Sequence, residues 1–419
     1  MYFGAIADDV TGGTDLASVL RQGGLRVIQT LDVPGVAMPR CDAVVISLKS
    51  RTAPVSIATA TSVAAASFLR DAGAEQTYFK YCSTFDSTDE GNIGPVIEAL
   101  MDLLGVSFTI ACPAYPQLRR TVYLGHLFVG HQLLSESSMR HHPLTPMSDA
   151  NLVRVLGRQC RLPIGSLMTP DVDAGVDAVR ARLKSLQAKG PCIIVADALL
   201  DRHIDVLGSA CEDHRFLTGG AALGGAVAKA RRRLTANSCV ETDVEMFPHS
   251  EGPVAILSGS CSASTIEQLR NVARLVAGRF VDPLRIAENG ATLTSTIDWA
   301  CDQTRRGNVL LYSTANPDTL EETHKVLGRE TAAALLDSAF AQVAIALAET
   351  GVRTFVVAGG ETSGAVLGAL GIRMLVFDDE IDPGVPWTYS LDPDGFALAL
   401  KSGNFGSPDF FVKVLRKTL

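Results

Sequence analysis

Residues 354–372 read TFVVAGGETSGAVLGALGI. An apolar run, Thr354–Ala358, enters a turn of small residues, Gly359-Gly360-Glu361-Thr362-Ser363-Gly364, and a helical pattern leaves it. A short apolar run bounded by glycine reads as a strand, and Gly and Ser after it are how a strand turns into a helix. Repetition decides what one such unit cannot. VAILSGSCSASTIEQ (254–268) has the same order: strand, Ser258-Gly259-Ser260, helix. Further strand candidates fall at residues 2–7, 43–48, 77–81, 108–111, 192–196, 309–312 and 374–377, with helical patterns at 16–22, 57–72, 172–189, 264–275 and 320–327. Strands alternating with helices predict an α/β chain with mostly parallel sheets flanked by helices.

The chain has 419 residues, room for two domains of ~100–200 residues each. Hydrophobic residues make up 47% and charged residues 20%, a composition that buries sizeable cores. The net charge of −8 argues against nucleic acid or an anionic membrane as partner, because both favour a basic face. The start, MYFGAIADDVTGG, is broken by two aspartates and lacks the basic region of a secretory signal. No apolar stretch reads as long enough to span a bilayer. The nine cysteines are scattered, without a C-x-x-C pair, as expected of reduced thiols in the cytoplasm. The turn-rich PHSEGP at 248–253 reads as a linker, dividing the chain into 1–247 and 254–419. Residues 130–152, rich in His and Pro, read as an ordered loop reaching over a cleft.

Several strand ends are polar. The first strand ends in Asp8-Asp9-Val10-Thr11-Gly12-Gly13. In open α/β sheets ligands bind outside the carboxyl ends of strands, so Asp8 or Asp9 could take a hydroxyl proton or hold hydroxyls there. Capping of the following helix is the plainer alternative. Lys49-Ser50-Arg51 follows a second strand, and Lys80 to Asp86 leaves a third. Cations placed so can pair with a carboxylate or phosphate, or make an ordinary loop salt bridge. The pair His141-His142 reads as a loop or structural feature rather than a metal site, since adjacent side chains diverge.

In the second half the Gly-rich elbows at 258–260 and 359–364, with a third Gly-bounded turn at 400–406, can bring backbone N–H groups close to phosphates. Neither of the first two has the lysine of a P-loop or the dinucleotide fingerprint G-x-G-x-x-G. Together they point to a nucleotide domain whose phosphates are held largely by backbone. The acidic run 378–382 could help hold Mg²⁺, though a solvated loop is the plainer reading.

Taken in order, ADDVTGGTDLA, KYCSTFDSTDEGNIGPV, PLTPMSDANLVRVL, SGSCS, GGETSG, EIDPGVPW and ALKSGNFG resemble the four-carbon acid sugar kinases over residues 4–410. The resemblance implies a sugar-acid-binding N-terminal domain, a nucleotide-binding C-terminal domain and an active site in the cleft between them. It implies transfer of phosphate from ATP, with Mg²⁺, to the 4-hydroxyl of a four-carbon sugar acid. The KYCSTFDST form points to the branch acting on 3-oxo-tetronates, with D-threonate or D-erythronate as alternatives. It carries nucleotide contacts onto Ser258, Gly259, Gly360, Glu361, Thr362, Ser363 and Gly403. Substrate contacts fall on Lys49, Ser50, Arg51, Lys80 and Asp86, with Asp8 and Asp9 catalytic and the metal ligand unassigned. Most of the cationic side chains are expected in the N-terminal half, with Arg51 as first choice for the substrate carboxylate and Lys49 or Lys80 as alternatives. One position departs from the family pattern, which has alanine where this chain has Gly13; a slightly looser helix start is the expected effect. A non-catalytic nucleotide or sugar-acid binder and a dinucleotide-dependent oxidoreductase are the rivals from other classes, and a homodimer stays open.

Overall fold

The computed structural model describes residues 1–35, 38–142, 144–235, 252–315, 317–391 and 395–417. The chain divides into two compact units, Met1–Asp243 and Val244–Leu419. Residues 248–251 of the expected linker lie outside the described residues.

In the first unit β1 (Phe3–Ala7) leads through α1 (Val10–Gln22) to β2 (Val27–Leu31) and β3 (Ala43–Ser47). Then come α2 (Val55–Asp71), β4 (Gln76–Lys80), α3 (Ile93–Leu104) and β5 (Phe108–Cys112). A small antiparallel sheet follows, built from β6 (Arg120–Tyr123), β7 (His126–Val129) and β8 (Gln132–Leu133). The rest is α4 (Leu152–Gln159), β9 (Ile164–Leu167), α5 (Thr169–Asp173), α6 (Val176–Gln187), β10 (Cys192–Ala196), α7 (Asp201–Ala210), β11 (Phe216–Gly219) and α8 (Ala221–Thr235). The large sheet runs β2-β3-β1-β4-β11-β5-β10-β9, and all its pairs are parallel. FGAIA, AVVIS and CIIVA are buried at every residue, as in a parallel sheet covered by helices on both faces.

The second unit repeats the plan. It comprises β12 (Val254–Ser258), α9 (Ala263–Val272), β13 (Ala277–Phe280), α10 (Pro283–Glu288), α11 (Ala291–Thr304) and β14 (Val309–Tyr312). Next are α12 (Pro317–Leu327), α13 (Arg329–Glu349), β15 (Thr354–Ala358), α14 (Gly360–Ala369), β16 (Met374–Asp382), β17 (Val385–Ser390), β18 (Ala397–Lys401) and α15 (Phe410–Lys417). Its strand order is β13-β14-β12-β15-β18-β17-β16, parallel up to β18 and antiparallel beyond. Val254, Ile256, Val356 and Ala399 pack with Val272 of α9 and with Phe410, Phe411 and Val414 of α15 in one core.

Register sets where chemistry can gather. In the first unit Ala7 lies level with Ser47 and Lys80, so β1, β3 and β4 end together. In the second, Ser258 lies level with Tyr312 and Ala358, and Ala358 with Lys401. The polar segments after these strands therefore meet at one edge of each sheet.

The structure departs from the sequence reading at several places. The helix expected over 172–189 is broken at Gly175, whose φ of +95° lies in the left-handed region that favours glycine. The segment 130–152 begins within the small antiparallel sheet and continues as two 3₁₀ turns, at Leu134–Glu136 and Ser138–His141. The acidic run 378–382 is the end of strand β16, paired with β17 around a Pro383-Gly384 turn, and not a loop. Finally, α13 is long and apolar enough to cross a membrane by length and composition. Its buried face, with Ala339, Phe340, Val343 and Leu347, belongs to a helix packed on α11 and α14.

Candidate active site

The first unit gathers three aspartates around one arginine. Asp9 is the N-cap of α1, with an extended backbone, and accepts from the Gly12 N–H at 2.8 Å and the Thr11 hydroxyl at 2.9 Å. Arg51 forks onto Asp8, Nε to Oδ2 at 3.0 Å and Nη2 to Oδ1 at 2.8 Å. The same Nη2 reaches Asp9 Oδ1 at 2.7 Å, and Nη1 lies 3.9 Å from Asp86 Oδ2. Backbone bonds fix this approach: the N–H groups of Ser50 and Arg51 both donate to the Asp8 carbonyl, and the Asp8 N–H donates to the Lys80 carbonyl.

The environment separates the two catalytic candidates. Burial pushes the Asp8 carboxyl above its ordinary value, against the pull of Arg51. Burial acts on Asp9 too, but Arg51, Lys80 and the cap bonds outweigh it and hold Asp9 below the usual range. For Arg51, burial is overcome by Asp8 and Asp9, and the guanidinium stays charged.

The other expected substrate residues fall out as follows. Lys80 is buried and donates to the Tyr81 carbonyl at 3.1 Å, while Gly12 keeps the space beside its ammonium open. Asp86 is buried and accepts from the Thr84 hydroxyl at 2.6 Å. Ser50 is buried and contributes backbone to the cluster. Lys49 is exposed, and the bonds of the Asp8–Arg51 cluster do not include it. The expectation that Arg51 faces the substrate carboxylate therefore meets a guanidinium already engaged by two aspartates. Asn92 was not singled out in the sequence. Its amide reaches the carbonyls of Ser50, Arg51 and Ala53 at 2.8, 3.1 and 2.8 Å and so holds the Arg51 loop.

In the second unit three Gly-bounded turns close on one another. The Gly259 and Ser260 N–H groups donate to the Ala358 carbonyl, and the Gly359 N–H donates to Lys401 O. Gly359 has φ +124°, and α14 starts directly after it. The N–H groups of Gly360, Glu361 and Thr362 have no partner within that helix, the arrangement that receives anions. A Cβ on Gly259 would fall 2.1 Å from Thr362 Oγ1, and one on Gly403 would fall 2.5 Å from Ser260 Oγ. A side chain at either position would have to displace one of these hydroxyls.

Two expected nucleotide residues act as braces. Ser258 is fully buried and shares its hydroxyl with Thr314 at 2.9 Å. Ser363 gives both its N–H and its hydroxyl to the Gly359 carbonyl, at 2.9 and 2.7 Å. Glu361 is exposed in the first turn of α14. Sequence reasoning placed the cations in the other half, yet the Lys401 ammonium lies wholly buried among these turns, donating to Thr265 Oγ1 at 2.9 Å and Gly403 O at 3.1 Å. Its signal was present in ALKSG, but a lysine after a strand reads as solvent-exposed.

Among the described residues no group of three or more His, Cys, Asp or Glu is placed to hold a metal ion. Asp382 is engaged by Lys413 and Ser407, and His142 by Thr145.

Comparison with known proteins gives these features a context. A sugar-binding N-terminal domain matches residues 3–227, and a nucleotide-binding C-terminal domain matches residues 255–411. The 3-oxo-tetronate kinase of Pseudomonas fluorescens is 49% identical over 98% of this chain and 96% of its own. That of Burkholderia multivorans is 46% identical over 99% and 96%. A crystal structure from Salmonella typhimurium LT2, which carries a provisional tRNA synthase description, superposes with a TM-score of 0.90 at 42% identity, covering 99% of each chain. One from Haemophilus influenzae gives 0.81 at 39%, covering 99% and 100%.

Proposed function

The chain belongs to the four-carbon acid sugar kinase family, and we propose that it transfers the terminal phosphate of ATP to the 4-hydroxyl of a 3-oxo-tetronate, releasing ADP and the 4-phosphate. The observation that carries the chemistry is the pair Asp8 and Asp9 held by Arg51 at the carboxyl edge of the first unit's sheet. Phosphoryl transfer asks chiefly for positioning and charge stabilisation, so a carboxylate of modest basicity suffices.

The environment divides the roles. Asp8 accepts the hydroxyl proton: its carboxyl is raised, the better match for a base working near neutrality. Asp9 caps α1 and holds Arg51 in place. Arg51 is engaged by Asp8 and Asp9 and Lys80 is buried, whereas Lys49 is exposed with no ion pair among the described residues, and it takes the substrate carboxylate. The nucleotide phosphates lie against the N–H groups opening α14. A Mg²⁺ bound with the nucleotide would supply charge neutralisation at the phosphates, and Glu361, exposed in the first turn of α14, would be the residue to hold it through water. Every cysteine among the described residues is a free thiol, which suits work in a reducing cytoplasm.

Steady-state kinetics of two variants test this assignment. Asp8→Asn lowers kcat by about 100-fold or more with little change in the KM for ATP. Lys49→Ala raises the KM for the acid about tenfold and spares kcat, the size of one lost charged hydrogen bond. Near wild-type turnover in Asp8→Asn, or an unchanged acid KM in Lys49→Ala, removes the respective role.

A further inference from the structure

We infer that Lys401 is the positioning cation of the nucleotide cradle, a buried ammonium that fixes the Gly403–Asn404 peptide and sets positive charge beneath the phosphates. The inference rests on the nucleotide-binding reading of the second unit.

Lys401 closes β18, level with Ala358 of β15, and none of its surface is exposed. Only neutral oxygens receive its ammonium, the Thr265 hydroxyl and the Gly403 carbonyl. No carboxylate among the described residues pairs with it. Lysines are almost never fully buried unless paired, because an uncompensated charge in the interior is costly. Packing alone would be served better by methionine. A phosphate arriving at the adjoining turns supplies the missing counter-charge.

The polar contacts show what the ammonium positions. The Gly403 carbonyl accepts from three donors: Lys401 Nζ, Thr265 Oγ1 and Ser262 Oγ. Thr265 Oγ1 also lies 3.2 Å from Ser260 Oγ, within hydrogen-bond distance of it. One carbonyl thus ties β18 to the first turn of α9 and to the turn after β12. In a trans peptide the C=O and the following N–H point in opposite directions. Pinning the Gly403 carbonyl inward therefore turns the Asn404 N–H outward. Gly403 makes the close approach possible, since a Cβ there would meet Ser260 Oγ.

Burial pulls the Lys401 ammonium down to about 8, and no acidic or basic group opposes or assists it. Bound phosphate favours the charged form. ATP affinity therefore falls as pH rises through about 8, and binding near that pH takes up a proton.

The experiment compares wild type, Lys401→Met and Lys401→Arg for the KM of ATP from pH 6.5 to 9.5, for thermal midpoint without ligand, and for proton uptake on ATP binding by calorimetry in two buffers. In wild type the KM for ATP climbs above pH 8 and ATP binding takes up protons. In Lys401→Met the KM is about tenfold higher at pH 7, its rise with pH disappears, and the midpoint does not fall. Lys401→Arg, charged throughout, keeps a flat profile. A Lys401→Met protein that melts lower yet binds ATP normally, or a wild type that binds ATP without proton uptake near pH 8, overturns the inference. The calorimetric arm uses wild type and holds even where Lys401→Met does not fold. Failure of acid-dependent turnover with ATP binding intact would count against the kinase reading and leave Lys401 standing.

Discussion

Gly13, where the resemblance leads to an expectation of alanine, sits against a buried polar network. Gln29 Nε2 donates to Ser47 Oγ at 2.7 Å and to the Val10 carbonyl at 2.9 Å, and Gln29 Oε1 accepts from Thr14 Oγ1 at 3.0 Å. A Cβ on Gly13 would fall 1.9 Å from Ser47 Oγ and 2.8 Å from Gln29 Nε2. The sequence suggested a loosened helix start; the structure shows a hydroxyl and an amide filling the space of the absent methyl. Alanine in a helix gains about 0.5–1 kcal/mol over glycine, while overpacking a core costs about 1–3 kcal/mol, so the clash wins. Gly13→Ala is thus expected to destabilise by about 1–2 kcal/mol on balance, measured by urea unfolding. Combined with Ser47→Ala, the loss should be smaller than the sum of the single losses. Strict additivity would show that the two positions do not compete for space. Residue identity in the site was legible where the type was rare, as with the Asp8-Asp9 pair. It was not legible where burial decides the role, as for Lys401 and Asn92, because one letter does not say which way a side chain turns.

Among elements, strands were the legible part. Each of the strand candidates, from 2–7 to 374–377, coincides with a strand of the structure, since a fully buried parallel strand leaves an unbroken apolar run. Elements with mixed surfaces were missed. The stretch GNIGPVIEALMDLL was not among the helical patterns read, yet α3 starts at Ile93 and buries Val96, Ile97, Leu100 and Met101. The acidic run before Pro383-Gly384 read as a loop because charge hides the strand pattern. Its last member is the informative one: Asp382, at the end of β16, accepts from Lys413 of α15 at 2.6 Å and from the Ser407 N–H at 2.9 Å. Burial pushes the Asp382 carboxyl up, but Lys413 and Ser407 outweigh it and hold it below the ordinary value. A depressed carboxyl stabilises the fold above its unfolded value, about 4, and that contribution is lost as pH falls through the folded value. Asp382→Asn should cost about 1–2 kcal/mol at pH 7, less than a fully buried pair because Lys413 is partly exposed. The deficit should shrink toward pH 3 in denaturant titrations. A deficit constant from pH 7 to pH 3 would mean that the charge is not what anchors α15.

For the whole molecule, composition and alternation were enough to place the chain among two-domain α/β proteins, and the ordered motifs enough to place it in its family. Substrate identity was not legible in physical terms, because the difference between a 3-oxo-tetronate and its hydroxy relatives is one carbonyl. The account's central claim is acid-dependent phosphoryl transfer, and its most direct measurement is ADP release from Mg-ATP with 3-oxo-tetronate, D-threonate, D-erythronate or no acid. Phosphorus NMR of the product would locate the new phosphate. The expected result is ADP release that requires the acid, is fastest with 3-oxo-tetronate and yields a phosphate monoester at C4. ADP release that is indifferent to every acid, or no release with any of them despite bound ATP, would contradict it.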